Sequence, residues 1–105
     1  MLVLNDQTFQ CFVNTSEKPV LVKFGAPWCP PCKALAPVLE ALNGTRDDVV
    51  FAELDIDESP DTAQAYKVFS IPTVIIMWDG AEMGRVVGNQ QKSKLVEFID
   101  QCLTS

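Results

Sequence analysis

Residues 20–42 of the chain have the sequence VLVKFGAPWCPPCKALAPVLEAL. The first five residues form a nearly continuous apolar run, which is typical of a strand covered on both faces of a sheet. From residue 30 onward the apolar side chains recur at the three- and four-residue spacing of a helix, which ends at Asn43 and Gly44. Cys29 and Cys32 therefore lie where a buried strand passes into a helix.

The rest of the chain shows the same two patterns, without an internal repeat or a linker. They predict helices over residues 5–14, 30–43, 60–66 and 91–103, and strands over residues 20–24, 49–54, 73–78 and 83–87. Asp79-Gly80 between the last two strands predicts an antiparallel hairpin. We therefore expect one α/β domain over residues 1–105, with a mixed sheet covered by helices on both faces.

The composition argues against several classes of function. The 105 residues carry 14 acidic and 8 basic side chains, a net charge of −6, whereas nucleic-acid binding requires a basic surface. The chain has no histidine, so a proton acceptor near neutral pH must be a thiol, a carboxylate or a lysine. The apolar run from Ile71 to Trp78 is too short to cross a membrane, and Met1 to Leu4 is too short for an export signal. We therefore expect a cytoplasmic protein, in a compartment where cysteines are usually catalytic, metal-binding or inert.

The spacing of Cys29 and Cys32 favours a redox pair over a metal site or two structural thiols. Cys29 would occupy the N-cap of the predicted helix, where unpaired backbone N–H groups and the helix dipole favour a thiolate. Cys32 would lie one turn further on, close enough to bond to Cys29. A zinc site would need two more ligands, and only Cys11 and Cys102 remain. Cys102 continues the apolar stripe of the last predicted helix and should be buried, whereas Cys11 lies off the stripe of its helix and should be partly exposed.

Several features in a fixed order make the sequence resemble the thioredoxin family over nearly its full length. They are Trp28-Cys29-Pro30-Pro31-Cys32-Lys33 after a strand, Pro37 within the following helix, Ile71-Pro72-Thr73 at the start of a strand, Asp79-Gly80 in the hairpin and Gly88 after it. The resemblance implies the thioredoxin fold, a central mixed five-stranded sheet flanked by four helices. It also implies a cis Ile71–Pro72 bond packed against the two cysteines, and it places Cys11 and Cys102 on opposite faces of the sheet.

The resemblance further implies that the cysteine pair reduces disulfides in other proteins. Cys29 would attack the substrate disulfide as the nucleophile, and Cys32 would resolve the mixed disulfide, leaving a Cys29–Cys32 disulfide. The implied substrate-binding groove consists of Trp28, Pro30, Pro31, Ile71, Pro72, Val87 and Gly88. The alternatives are an oxidase or isomerase with the same motif, or a thioredoxin fold that serves as a binding module.

The partners that the resemblance implies are disulfide-containing substrate proteins and an electron donor of the thioredoxin-reductase type. No cofactor or metal is expected, because the two thiols carry the electrons themselves. We expect a monomer that binds neither nucleic acid nor a membrane.

Three parts of the site depart from the family pattern. Pro30 replaces a glycine and should stiffen the segment between the two sulfurs. Gly25 replaces a tryptophan, which removes aromatic packing beneath the site. Lys23 stands where the family has an acid on the central strand, and Glu53 where it has a lysine on the neighbouring strand. Because an unpaired buried charge is costly, we expect Lys23 and Glu53 to form a facing, largely buried pair near Cys32.

Overall fold

The structure is a computed structural model that describes residues 1–104, which form five strands and four helices. The strands are β1 (Leu2–Leu4), β2 (Val20–Gly25), β3 (Val50–Asp55), β4 (Thr73–Trp78) and β5 (Ala81–Val87). The helices are α1 (Phe9–Thr15), α2 (Pro30–Asn43), α3 (Pro60–Ala65) and α4 (Lys92–Thr104). The expected α/β fold is confirmed, and α2 and β4 have the predicted bounds. No helix in this part of the chain is long and apolar enough to cross a membrane.

The N-terminal segment differs from the prediction, because α1 begins at Phe9 rather than at residue 5. The Asn5 side chain explains the difference. Its Oδ1 accepts hydrogen bonds from the backbone N–H groups of Gln7 and Thr8, at 2.9 and 3.0 Å, and holds this segment in a turn. The preceding strand β1 has only three residues, which is too short for a detectable sequence period.

The sheet has the strand order β1-β3-β2-β4-β5, so β2 lies at its centre. β1, β3 and β2 run parallel, and β4 and β5 continue the sheet antiparallel. In the parallel part, Lys23 pairs with Glu53, and Glu53 pairs with Val3. This register places the three side chains in one row across the same face of the sheet.

Side chains of β2 alternate between two cores, one on each face of the sheet. Val22 and Phe24 pack with residues of α1, whereas Leu21 packs with residues of α2 and α4. Lys23 and Gly25 share the face of Leu21, so both lie beneath the start of α2. Because the side chains of β2 alternate between the two faces, only those on the face of Leu21 lie toward the cysteine pair.

The predicted hairpin turn between β4 and β5 is confirmed. Asp79 and Gly80 have φ angles of 54° and 79°, and two positive φ angles are what a two-residue hairpin turn of the favoured hand requires. The N–H of Gly80 donates to the carbonyl oxygen of Val13 at 3.2 Å. This bond ties the hairpin to α1.

The N-terminus of α3 is held by a residue from a distant part of the chain. Its N-cap, Ser59, makes no side-chain capping bond. The Asp6 carboxylate instead accepts from the N–H of Thr62 at 2.8 Å, from its hydroxyl at 2.7 Å, and from the N–H of Asp61 at 3.2 Å. A carboxylate at a helix N-terminus satisfies backbone donors and interacts favourably with the helix dipole. Asp6 therefore fixes α3 against the segment between β1 and α1.

This contact predicts a pH-dependent contribution to stability. Partial burial alone would raise the pKa of Asp6, but the hydrogen bonds from Thr62 and Asp61 hold it below its ordinary value. Such a carboxylate stabilises the fold above its unfolded pKa, about 3.9, and loses this contribution as the pH falls through the lower folded pKa. We therefore expect Asp6→Ala to lower the Tm at neutral pH, and the Tm difference from the wild type to shrink toward about pH 2.

Thermal unfolding monitored by circular dichroism across this pH range tests the prediction. Asp47→Ala is the matched control, because Asp47 is an exposed loop carboxylate, and it should change the Tm little at any pH. A Tm difference for Asp6→Ala that is constant with pH would contradict the prediction.

Candidate active site

The two cysteines lie at the junction between the central strand and α2. Cys29 is the N-cap of α2, and its sulfur accepts a hydrogen bond from the N–H of Cys32 at 3.3 Å. Pro30 and Pro31 occupy the first two helical positions, where a missing N–H costs no intrahelical bond. The predicted N-cap position of Cys29 is therefore confirmed.

Cys29 and Cys32 are joined by a disulfide, with their Cα atoms 5.2 Å apart. Only 3% of Cys29 and 2% of Cys32 is exposed. They form a small apolar cluster with Ala26, against which Ile56 and Ile71 pack. A reacting group must therefore approach the sulfurs through close contact with the surrounding side chains.

The loop before β4 brings part of the expected groove to the cysteines. The Ile71–Pro72 bond is cis, as predicted. The carbonyl oxygen of Pro72 accepts from the N–H of Gly88 at 2.7 Å, which joins this loop to the end of β5. Gly88 has a φ of +90°, a conformation that L side chains rarely adopt. Val87, the last residue of β5, pairs with Thr73 and is exposed.

Trp28 lies directly before Cys29 and is 62% exposed. Its indole N–H donates to Asp57 Oδ2 at 2.6 Å, so the ring is oriented although most of it faces solvent. Pro30 and Pro31 are exposed beside it. The sequence analysis did not identify Asp57 as part of the site. Its only signal was a cluster of acids after β3, and sequence does not reveal which acid reaches the indole.

A cavity of about 280 Å³ lies on the other side of the disulfide, beneath α2. It is lined by Val3, Lys23, Gly25, Ala26, Pro27, Cys32, Lys33, Ala36, Glu53, Leu54 and Asp55. A side chain at position 25 would come within 3.1 Å of Cys32 Sγ and 3.8 Å of Lys23 Cε. Gly25 therefore leaves open the space between the Lys23 side chain and Cys32.

Lys23 and Glu53 face each other in this cavity, but they do not form a largely buried pair. The distance from Lys23 Nζ to Glu53 Oε2 is 3.8 Å, and the two side chains are 12% and 40% exposed. The expected facing arrangement is confirmed, and the expected burial of Glu53 is wrong. The physical reason is the short edge strand: the neighbour of Glu53 in β1 is Val3, itself exposed, so this end of the row is open to solvent.

The other two cysteines lie far apart in the fold. Cys102 is buried in the core beneath α4, and burial raises the pKa of its thiol. Cys11 is exposed on α1, which packs on the opposite face of the sheet. Both placements agree with the predictions. Within residues 1–104, no three Cys, Asp or Glu side chains are grouped as a metal ion would require.

Comparison with known proteins agrees with this geometry. The sequence model of the family described as Thioredoxin matches residues 1–101. A thioredoxin of Mycobacterium tuberculosis is 46% identical over 94 residues, which cover 89% of this chain and 81% of that protein. A thioredoxin of Staphylococcus epidermidis is 45% identical over 101 residues, covering 95% of each chain. One of Mycolicibacterium smegmatis is 41% identical over 105 residues, covering 97% of this chain and 94% of the other.

The geometry of Lys23 and Glu53 predicts a weak interaction between them. A partly exposed ion pair usually contributes about 0.2–1 kcal/mol, and Glu53 is 40% exposed. In a double-mutant cycle of Lys23→Met and Glu53→Gln, we expect a coupling energy below about 1 kcal/mol. Urea unfolding of the four proteins at neutral pH measures this value. A coupling energy near 3 kcal/mol or above, on the order expected when a buried pair is broken, would contradict the open geometry.

Proposed function

Because the chain belongs to the thioredoxin family, and so is a thiol–disulfide oxidoreductase that reduces protein disulfides through its Cys29–Cys32 couple, we propose that Cys29 is the attacking cysteine and Cys32 the resolving one. The observation that carries this assignment is the position of Cys29 at the N-terminus of α2, with its sulfur accepting the N–H of Cys32. A helix N-terminus favours the thiolate, which is the nucleophilic form of a cysteine.

The surroundings of the two sulfurs also support different roles. Cys29 follows the exposed Trp28, whereas Cys32 lines the cavity beneath α2 and lies close to Gly25. A substrate protein that docks on the exposed side would meet Cys29 first. Cys32 would then be placed behind Cys29, where it can attack the Cys29 sulfur but is shielded from the substrate.

In the resulting reaction, the Cys29 thiolate attacks one sulfur of the substrate disulfide. The substrate S–S bond breaks, its other sulfur leaves as a thiolate, and a mixed disulfide forms with Cys29. Cys32, once deprotonated, attacks the Cys29 sulfur, and the second substrate sulfur leaves. Two electrons have then passed from the dithiol to the substrate, and the protein has the Cys29–Cys32 disulfide seen in the structure.

We infer that the exposed surface around Cys29 positions the substrate. Trp28, Pro30, Pro31, Ile71, Pro72, Val87 and Gly88 would form this groove. Two contacts support this groove. The hydrogen bond between Pro72 and Gly88 joins the loop before β4 to the end of β5, and Ile71 packs against the cysteine cluster. Since both cysteines are nearly covered, contact with this surface is what would bring a substrate sulfur within reach of Cys29.

The cavity beneath α2 supports a route for the Cys32 proton. Lys23 in its charged form is only a hydrogen-bond donor and cannot accept this proton. Glu53 lines the same cavity and is partly exposed, so it can exchange protons with solvent. The cavity is several times larger than the roughly 30 Å³ that one water molecule occupies in the liquid. We therefore propose that the Cys32 proton passes to Glu53 through water.

Each cycle leaves the pair oxidised, so a dithiol or reductase-type donor must return two electrons to it. This requirement supports a reducing compartment such as the cytoplasm. Each copy of the chain contains both cysteines and the whole proposed groove, which supports action as a monomer. The net charge of −6 supports protein substrates rather than nucleic acid.

Trapping the mixed disulfide tests the two roles. Cys32→Ser keeps the attacking thiol but cannot resolve the complex, so it should accumulate a covalent complex with a disulfide protein such as insulin. Cys29→Ser should accumulate none, and both variants should lose dithiothreitol-driven insulin reduction. Non-reducing gel electrophoresis detects the complex.

The matched control is Cys11→Ser. It should reduce insulin like the wild type, and its combination with Cys32→Ser should still trap the complex. Trapping by Cys29→Ser and not by Cys32→Ser would reverse the assignment.

A further inference from the structure

Phe69 is the most exposed large apolar side chain among residues 1–104, with 87% of its surface facing solvent. A side chain of this size is normally at least partly buried, and here it has almost no packing role in the fold. Of the next most exposed apolar residues, Val3 lies on the edge strand β1, and Trp28 and Val87 belong to the groove proposed above.

The backbone on both sides of Phe69 is fixed by hydrogen bonds. On one side, the N–H of Val68 donates to the carbonyl oxygen of Ala63 at 2.9 Å. On the other, the carbonyl oxygen of Ser70 accepts from the Thr73 hydroxyl at 2.6 Å. The exposure of Phe69 is therefore a property of a held loop rather than of a loose chain end.

Phe69 lies on the same loop as a residue that contacts the cysteine pair. Ile71, two residues further on, packs against the cluster of Ala26, Cys29 and Cys32. Two residues span at most about 7.2 Å between Cα atoms, so the backbone of Phe69 lies within that distance of Ile71. Only Ser70, which is also exposed, separates Phe69 from the groove residue Ile71.

We propose that Phe69 is a specificity-determining residue, which extends the groove and selects substrates with a large apolar side chain next to the reacting cysteine. The inference rests on the groove of the proposed function. Both protein cysteines are nearly covered, so the substrate segment must press against the surrounding surface to bring its sulfur to Cys29. Its neighbouring side chains then lie over the rim of the groove, where Phe69 offers only apolar contact. An exposed aromatic ring is a type of side chain that often contributes much of the binding energy at protein interfaces.

The test uses two disulfide-bonded peptides that differ at one position beside the reacting cysteine, leucine in one and serine in the other. The enzyme variants are the wild type, Phe69→Ser, Phe69→Leu and Met83→Ser, with kcat and KM measured for each peptide under a fixed dithiol donor. Met83 is the matched control, because it is an exposed apolar residue on β5 and stands four residues before Val87.

The wild type should prefer the leucine peptide by about tenfold in kcat/KM, mostly through KM, as one apolar contact allows. Phe69→Ser should reduce this preference to within about twofold, whereas Phe69→Leu and Met83→Ser should keep most of it. No preference in the wild type, the same preference in Phe69→Ser, or its loss in Met83→Ser would overturn the role of Phe69. Failure of the wild type to reduce either peptide would instead overturn the proposed groove, because no substrate sulfur would then be brought to Cys29, and this inference with it.

Discussion

The hydrogen bond from the N–H of Cys32 to the sulfur of Cys29 is the interaction on which the site depends. It makes the Cys29 sulfur the cap of α2, so that this atom accepts a hydrogen bond from one of the otherwise unpaired backbone N–H groups and lies at the positive end of the helix dipole. The cap also fixes where the sulfur lies, because only residues 26–29 separate the central strand from α2. Ile71, next to the cis bond, packs against the cysteine cluster, and Trp28 directly precedes Cys29 in the chain.

The side chains of β2 alternate between the two faces of the sheet, and only one of these faces borders the site. Val22 and Phe24 belong to the core under α1, and this apolar face holds the strand in place. Lys23 and Gly25 face α2 instead, where a charged side chain and an absent side chain leave a cavity next to Cys32. The row of side chains that contains Lys23 ends at the three-residue edge strand β1 and reaches solvent through Glu53. A lysine is therefore tolerated in this central strand.

Local patterns predicted most of the fold, and contacts between distant residues account for what they missed. The bounds of α2 follow from its apolar spacing and its cap, and the position of Cys29 follows with them. The late start of α1 depends on the side chain of Asn5, which competes with the helix for backbone donors. The bond between Trp28 and Asp57, the capping of α3 by Asp6 and the exposure of Glu53 and Phe69 all depend on which segments meet in space. No periodicity in the sequence encodes these.

The short sequence separation of the disulfide has a consequence for folding. Cys29 and Cys32 are three positions apart within the first turn of α2, so the bond closes one of the smallest loops that a chain can form. The restriction that a cross-link places on the unfolded chain grows with loop length and is close to its minimum here. The two apolar cores hold the sheet and helices together in any case. Oxidation and reduction should therefore change the free energy of folding less than a cross-link over a long loop would, which lets the same folded chain serve as a reusable two-electron carrier.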